Sequence, residues 1–226
     1  MGKTVASRIT LDIETIPAQG EGAASAARSR IKPPANYKDP DKIEAYIAGK
    51  AEEAWRSTSL DGSYGEIFCI GFALEDDPAQ VIYRDLDDED GERELIEGFW
   101  DMLGNDLSPG ATWIGHNVQR FDMRFIWKRS VIHRVPMAHK MPFDSSPWSG
   151  TVQDTMMMWT GERNSFVSLD ELLSILRIES KDPTDGSQVW DLIEAGDERK
   201  VVEHCIRNVE ETREAWRRMM LHPEGT

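Results

Sequence analysis

Arg8-Ile9-Thr10-Leu11-Asp12-Ile13-Glu14-Thr15 is the stretch on which the fold turns. Ile9, Leu11 and Ile13 alternate with Thr10, Asp12 and Glu14, the two-residue period of a half-buried strand. Asp12 and Glu14 therefore project to one side, away from the apolar set, and two like charges held side by side need a cation. Oxygen donors of this kind suit hard ions such as Mg²⁺ or Mn²⁺. A solvent-facing pair at a sheet edge would read the same, so the pair gains meaning only from partners elsewhere in the chain.

Around that strand the composition is that of an ordinary globular chain. Its 226 residues, 39% of them hydrophobic, suffice for one medium domain over residues 1–226 and contain no stretch that would span a bilayer. The 26 Lys and Arg against 41 Asp and Glu leave a net charge of -15, which excludes a protein that coats duplex nucleic acid through many basic side chains. Met1 to Arg8 lacks the apolar core of a signal peptide, so a cytoplasmic location is expected. Cys69 and Cys205 lie in apolar or helical stretches and read as reduced, packed thiols.

Residues 17–65 lose the strand pattern. They hold an Ala/Ser/Gly stretch around Ala23 to Ala27, the pair Pro33-Pro34, and a Pro40-led helical run through Ile43, Ile47, Ala51 and Trp55, which together read as an insertion packed over the domain. Order returns with an apolar strand at Ile67 to Leu74 and a short partner strand at Val81 to Tyr83. Acidic residues from Asp85 to Asp90 then lead into a helix whose stripe is Leu95, Ile96, Phe99 and Met102. Ala111 to Ile114 reads as a strand stopping at Gly115, followed by a helix with Phe121, Phe125, Ile126 and Arg129, an alternation that marks an α/β fold. Beyond an irregular loop over 133–150, holding Pro136, Pro142 and Pro147, helices are expected at Asp154 to Trp159 and at Ser168 to Leu176, the latter opened by a capping box of Ser168 and Glu171. The run Met156-Met157-Met158 reads as packing. A final helix from Arg199 to Met220 shows Val202, Cys205, Val209, Thr212 and Trp216 on one face, with His204, Asn208 and Glu211 beside them.

Two further groups can join Asp12 and Glu14. Gly115-His116-Asn117 followed by Phe121-Asp122 puts Asp122 in the first turn of a helix just past a strand end, where open α/β sheets place their sites. The helix dipole alone also favours an Asp there. His204 and Asn208, four residues apart, share one helix face a turn apart, as an ordinary surface pair would.

In this order, Asp12-Ile13-Glu14-Thr15, then Gly115-His116-Asn117 with Phe121-Asp122, then the final helix resemble the three motifs of the DEDD superfamily of 3'-5' exonucleases. The nearest resemblance is to the predicted exonucleases related to the proofreading domain of family B DNA polymerases. It extends to Tyr64-Gly65-Glu66-Ile67 leading to Ile70-Gly71, to Ser168-Leu169-Asp170-Glu171-Leu172 and to Gly186-Ser187-Gln188-Val189-Trp190. The resemblance implies an α/β, ribonuclease H-like fold with a central mixed five-stranded sheet flanked by helices. It also implies hydrolysis of phosphodiester bonds at the 3' end of DNA, single strands preferred, by two Mg²⁺ or Mn²⁺ ions. Asp12, Glu14, Asp122 and position 208 would hold the ions, one activating water and the other stabilising the leaving 3' oxygen. Thr15, Ile16, Asn117 and Phe121, beside the first two motifs, would touch the single-stranded 3' end. The ions reconcile an acidic chain with a polyanionic substrate.

The third motif departs from the family pattern, in which a Tyr precedes an Asp by four residues. Here the two positions hold His204 and Asn208. An amide offers one neutral oxygen, so Asn208 should hold a divalent ion more weakly than a carboxylate. The imidazole of His204, with an ordinary pKa of about 6.5, suits deprotonation of the attacking water and makes it a fourth catalytic candidate. Asn208 reads as an engineered isosteric change or as natural drift to a weak or inactive enzyme, and least well as a substitution compensated by Glu211, which points to a different part of the cleft. Two readings follow: an exonuclease weakened or silenced at position 208, and a catalytically impaired nucleic-acid-binding or protein-binding module on the same fold. A 3'-5' exoribonuclease stays open as well, because the preference for DNA rests on the resemblance. A serine or cysteine hydrolase is disfavoured, since no Gly-x-Ser-x-Gly occurs and the adjacent His204 and Cys205 point apart on their helix.

Overall fold

A computed structural model of the chain describes residues 5–20, 22–143, 146, 150–161, 165–180 and 186–220. The alternating stretch forms the middle of β1 (Ala6–Ile16), followed by α1 (Ala23–Ser29), α2 (Pro40–Arg56) and a 3-10 turn at Ser57–Leu60. Next come β2 (Glu66–Leu74), β3 (Gln80–Tyr83), α3 (Gly91–Asp106), β4 (Leu107–Gly115) and α4 (Asp122–His133). β5 (Val152–Asp154), α5 (Thr155–Thr160), α6 (Leu169–Ile175), a 3-10 turn at Gly186–Gln188, α7 (Val189–Glu194) and α8 (Glu198–Met219) complete the described chain. The strands make one sheet in the order β3-β2-β1-β4-β5. It is mixed: β1 is antiparallel to β2 and parallel to β4, β2 is antiparallel to β3, and β4 is parallel to β5.

Both faces of the sheet are covered, and this sets the character of the central strand. Leu11, Ile13 and Phe72 pack with Leu95, Ile96, Phe99 and Trp100 of α3 and with Phe125 and Ile126 of α4. On the other face Ile16, Phe68 and Cys69 meet Val189 and Ile193 of α7 and Val201 and Cys205 of α8. The half-buried strand expected from the alternation is thus buried on both sides, with Thr10 only 2% and Glu14 only 7% exposed. Alternation reports side-chain chemistry, and here the polar face carries a site under a helix rather than a solvent front.

The insertion is anchored at one end. No residue of α2 is buried, yet its C-terminal turn docks on α7: Trp55 sets its ring edge-on to Trp190 at 5.5 Å, and Arg56 pairs with Asp191 and Glu194. Trp55 also donates from Nε1 to the Ala18 carbonyl at 2.9 Å, which ties α2 back to the end of β1. On the α3–α4 side, Glu92 accepts from the Ile67 amide at 2.7 Å and pairs with Arg129 and His133. Burial opposes ionisation of Glu92, but its bonds to His133, Arg129 and Ile67 outweigh it and hold the carboxyl below its usual value.

Several boundaries differ from expectation. β5 and α7 are too short for a periodic pattern, and α1 arises from the Ala-rich stretch. Asp154, read as helical, ends β5 and caps α5. On α8 it is Val201, not Val202, that is fully buried, while His204 and Arg213 join the covered face. Ser168 caps α6 by accepting from the Glu171 amide, as the capping box predicts, and Met156, Met157 and Met158 are buried. Residues 144, 145 and 147–149 of the expected loop, Pro147 included, lie outside the described residues. Among the described residues no helix is long and apolar enough to cross a membrane.

α8 crosses β2 at Gly71. A Cβ there would stand 2.7 Å from Cys205 Sγ and 3.0 Å from a Val209 methyl, closer than packed atoms allow. Gly71→Ala should therefore lower stability by about 1–3 kcal/mol, read as a reduced midpoint in urea denaturation. An unchanged midpoint would mean that α8 is not seated against the strand.

Candidate functional site

With α8 seated at Gly71, its His204 and Asn208 reach β1. Asn208 Nδ2 lies 3.4 Å from Asp12 Oδ2, 3.4 Å from Glu14 Oε1 and 3.2 Å from His204 Nε2. His204 Nε2 is in turn 3.4 Å from Glu14 Oε1. From the same helix the Cys205 thiol points at the Asp12 carbonyl, 3.8 Å away. Ligand atoms of Asp12, Glu14 and Cys205 lie within 4.8 Å of one another, the one such trio of metal-ligating side chains among the described residues.

Asp122 comes from α4. It is the first residue of α4, buried, and its Oδ1 accepts from the Ile13 amide at 3.0 Å, so it is fixed to the residue between Asp12 and Glu14. It does not belong to the trio within 4.8 Å, but it is close enough to Asp12 for the two carboxylates to repel each other, while Asn208 touches both Asp12 and Glu14. Loss of water under α8 pushes Asp12 up to about 6, against the opposing pull of His204 and of hydrogen bonds from Asn208 and Cys205. Burial first, and repulsion from Asp12 second, push Asp122 well above the usual carboxylate range. The Cys205 thiol is raised as well, by its hydrogen bond with Cys69 and then by burial. Acids that resist ionising together, Asp122 buried and Asp12 half-buried, are what a bound cation relieves, and the donors here, carboxylate oxygens with an imidazole and a thiol beside them, fit a divalent ion.

The loop leading to Asp122 is held by a residue that the sequence reading passed over. Asp154, fully buried at the end of β5, accepts from the amides of Asn117 at 3.0 Å, Gln119 at 3.2 Å and Met157 at 3.2 Å. A polar residue directly before a helical run is a cap signal, and it was the signal available for Asp154. His116 is clamped between Thr155 Oγ1 and the Val167 carbonyl, and burial holds its pKa below the ordinary value. Gly115 packs where a Cβ would strike Val118.

The four expected substrate contacts fare differently. Ile16 is fully buried among Phe68, Val189 and Ile193, so its side chain has no surface to offer a nucleotide, which corrects that expectation. Thr15 Oγ1 donates to the Ser59 carbonyl at 2.7 Å and ties β1 to the end of the insertion. Asn117 has a left-handed backbone, φ 62°, which Asn tolerates better than most residues, and it stays half-buried. Phe121, also half-buried, stacks obliquely on Phe125 at 5.6 Å.

A family model described as "predicted 3'-5' exonuclease related to the exonuclease domain of PolB" matches residues 60–225. The chain belongs to this family. Exonucleases of this kind typically depend on divalent metal ions, in keeping with the donors around Asp12 and Glu14. No curated protein matches the sequence. Among solved structures, the family B DNA polymerase of the hyperthermophilic archaeon Pyrobaculum calidifontis aligns over 96% of this chain with a TM-score of 0.58 at 14% identity. The alignment spans 25% of the polymerase chain. It establishes the ribonuclease H-like α/β fold for this exonuclease relative, as the motifs implied.

Two predictions follow from the electrostatics. The folded pKa of Asp12 lies above its unfolded value, so this residue lowers folding stability progressively as the pH rises from about 4 to about 6, in full above that, and not at all below about pH 4. Asp12→Asn should thus melt higher than the unaltered chain in EDTA at pH 7, with the gap closing as the pH falls toward 4, about one unfolded pKa. Asp154→Asn turns an amide N–H toward donors and should cost about 1–3 kcal/mol, with faster hydrogen exchange at the Asn117 and Gln119 amides. Unchanged exchange there would remove Asp154 from its positioning role.

Proposed function

We propose that this chain is a divalent-metal-dependent 3'-5' exonuclease that shortens single-stranded DNA from its 3' end, working in the cytoplasm as one domain with residues 17–65 as an insertion. The observation that carries the reading is the meeting of three motifs: His204 and Asn208 of α8 against Asp12 and Glu14, and Asp122 bonded to Ile13 between them. Asp12 and Glu14 would hold a divalent ion, and Asp122 with Asn208 would serve a second. When bound, two such ions supply an activated water and neutralise charge on the cleaved phosphate. Burial and the charge of Asp12 hold the Asp122 carboxyl well above the usual carboxylate range, and a divalent ion would favour its charged form. Asn208 offers only a neutral oxygen, so a second ion would be held weakly there and turnover would be slow. Asn117 and Phe121, half-buried beside Asp122, would flank the terminal nucleotide.

Asn208 favours one second reading, a catalytically impaired binding module on the same fold. The experiment follows a 5'-labelled single-stranded DNA oligomer, and the matching RNA, with Mg²⁺ or Mn²⁺. It compares the unaltered chain, Asn208→Asp and Asp12→Ala. Slow 3' shortening is expected from the chain, about tenfold or more faster shortening from Asn208→Asp, and none from Asp12→Ala. Cleavage of RNA alone would move the substrate to RNA. Absence of cleavage in every variant on both substrates would overturn the enzyme in favour of the module.

A further inference from the structure

Three acceptors converge on one atom at the centre of the site. Asn208 Nδ2 is 3.4 Å from Asp12 Oδ2, 3.4 Å from Glu14 Oε1 and 3.2 Å from His204 Nε2. A side-chain amide has two N–H groups, so it cannot give three acceptors a bond each. All three distances also sit at or beyond the long end of the usual range of about 2.7–3.2 Å. The reverse amide orientation would aim a carbonyl oxygen at two carboxylates, so without a cation the nitrogen faces inward. Where that nitrogen donates to His204, Nε2 presents its lone pair and the ring proton sits on Nδ1. In that tautomer two carboxylate oxygens and one imidazole nitrogen aim lone pairs at a position now filled by the hydrogens of a neutral amide. Cys205 Sγ lies within 4.8 Å of the same two carboxylates.

We propose that His204 Nε2 is a direct ligand, together with Asp12 and Glu14, of one divalent ion, and that the Asn208 amide turns over when the ion enters, nitrogen inward without it and oxygen inward with it. The inference rests on the metal-dependent reading above and specifies its cation. Imidazole in the ligand set favours Mn²⁺ and the later transition ions over Mg²⁺, whose preferred ligands are oxygens. His204 then holds the ion, in place of the proton-accepting role its sequence position suggests.

The test needs no nucleic acid. The chain, stripped with EDTA, is titrated with Mn²⁺ and followed by electron paramagnetic resonance, with pulsed spectra to detect nitrogen bonded to the ion. One tightly held Mn²⁺ should show coupling to a single nitrogen that changes on ¹⁵N-histidine labelling of the unaltered chain, and Mg²⁺ should displace it only at about tenfold or greater excess. His204→Gln, with its fold checked by circular dichroism, should lose the coupling and bind Mn²⁺ about tenfold or more weakly. The labelling result stands by itself if His204→Gln does not fold. Bound Mn²⁺ without nitrogen coupling, or equal competition by Mg²⁺, overturns the proposal and leaves a metal-dependent exonuclease in place. Failure of both the chain and Asn208→Asp to bind any divalent ion overturns the proposal together with the reading beneath it.

Discussion

Where α8 crosses the sheet, Gly71 presents no side chain, and the sulfur of Cys205 fills the space that a methyl group would need, 2.7 Å from where its carbon would stand. That contact sets the height of the helix above β1. A helix held one methyl further out would carry His204 and Asn208 away from Asp12 and Glu14, whose contacts at 3.4 Å already lie beyond the usual range of hydrogen bonding. The same closeness removes water from Asp12 and raises its pKa. Geometry and electrostatics of the site thus share one steric cause.

Two kinds of buried acid in the molecule show which force wins where. Glu92 is only 2% exposed, yet its pKa falls, because Arg129, His133 and a backbone amide give its charge more than burial takes away. Asp122 has a single backbone donor from β1 and a like charge nearby, and its pKa rises. The first arrangement is complete within the protein and holds α3, α4 and β2 together. In the second, burial and the neighbouring charge of Asp12 outweigh the backbone bonds that would favour the charged form.

Much of the architecture could be read from patterning. β1, β2, α4 and α8 are long or strongly periodic, and each lies within a few residues of its expected place. The first two motifs carry their chemistry in local order, so Asp12, Glu14 and Asp122 could be named from the chain alone. What stayed hidden depended on contacts between distant segments. β5 has three residues and exists because β4 offers it an edge. Asp154 reveals its task only when the loop over Asn117 and Gln119 folds back on it. Ile16 follows the acidic motif directly, yet the next step of the strand turns it into the core beneath α7. Sequence neighbourhood located that residue, and strand geometry gave it a different environment.

Asp12 and Asn208 meet across 196 residues of chain. Contacts that span such distances are slow to close and come late in folding. During synthesis, at about 5–20 residues per second, β1 waits on the order of ten to forty seconds before the helix that completes its site has been made. Over that interval the nascent chain has its acidic strand without the helix that buries it, so Asp12 and Glu14 stand in water until α8 has been made.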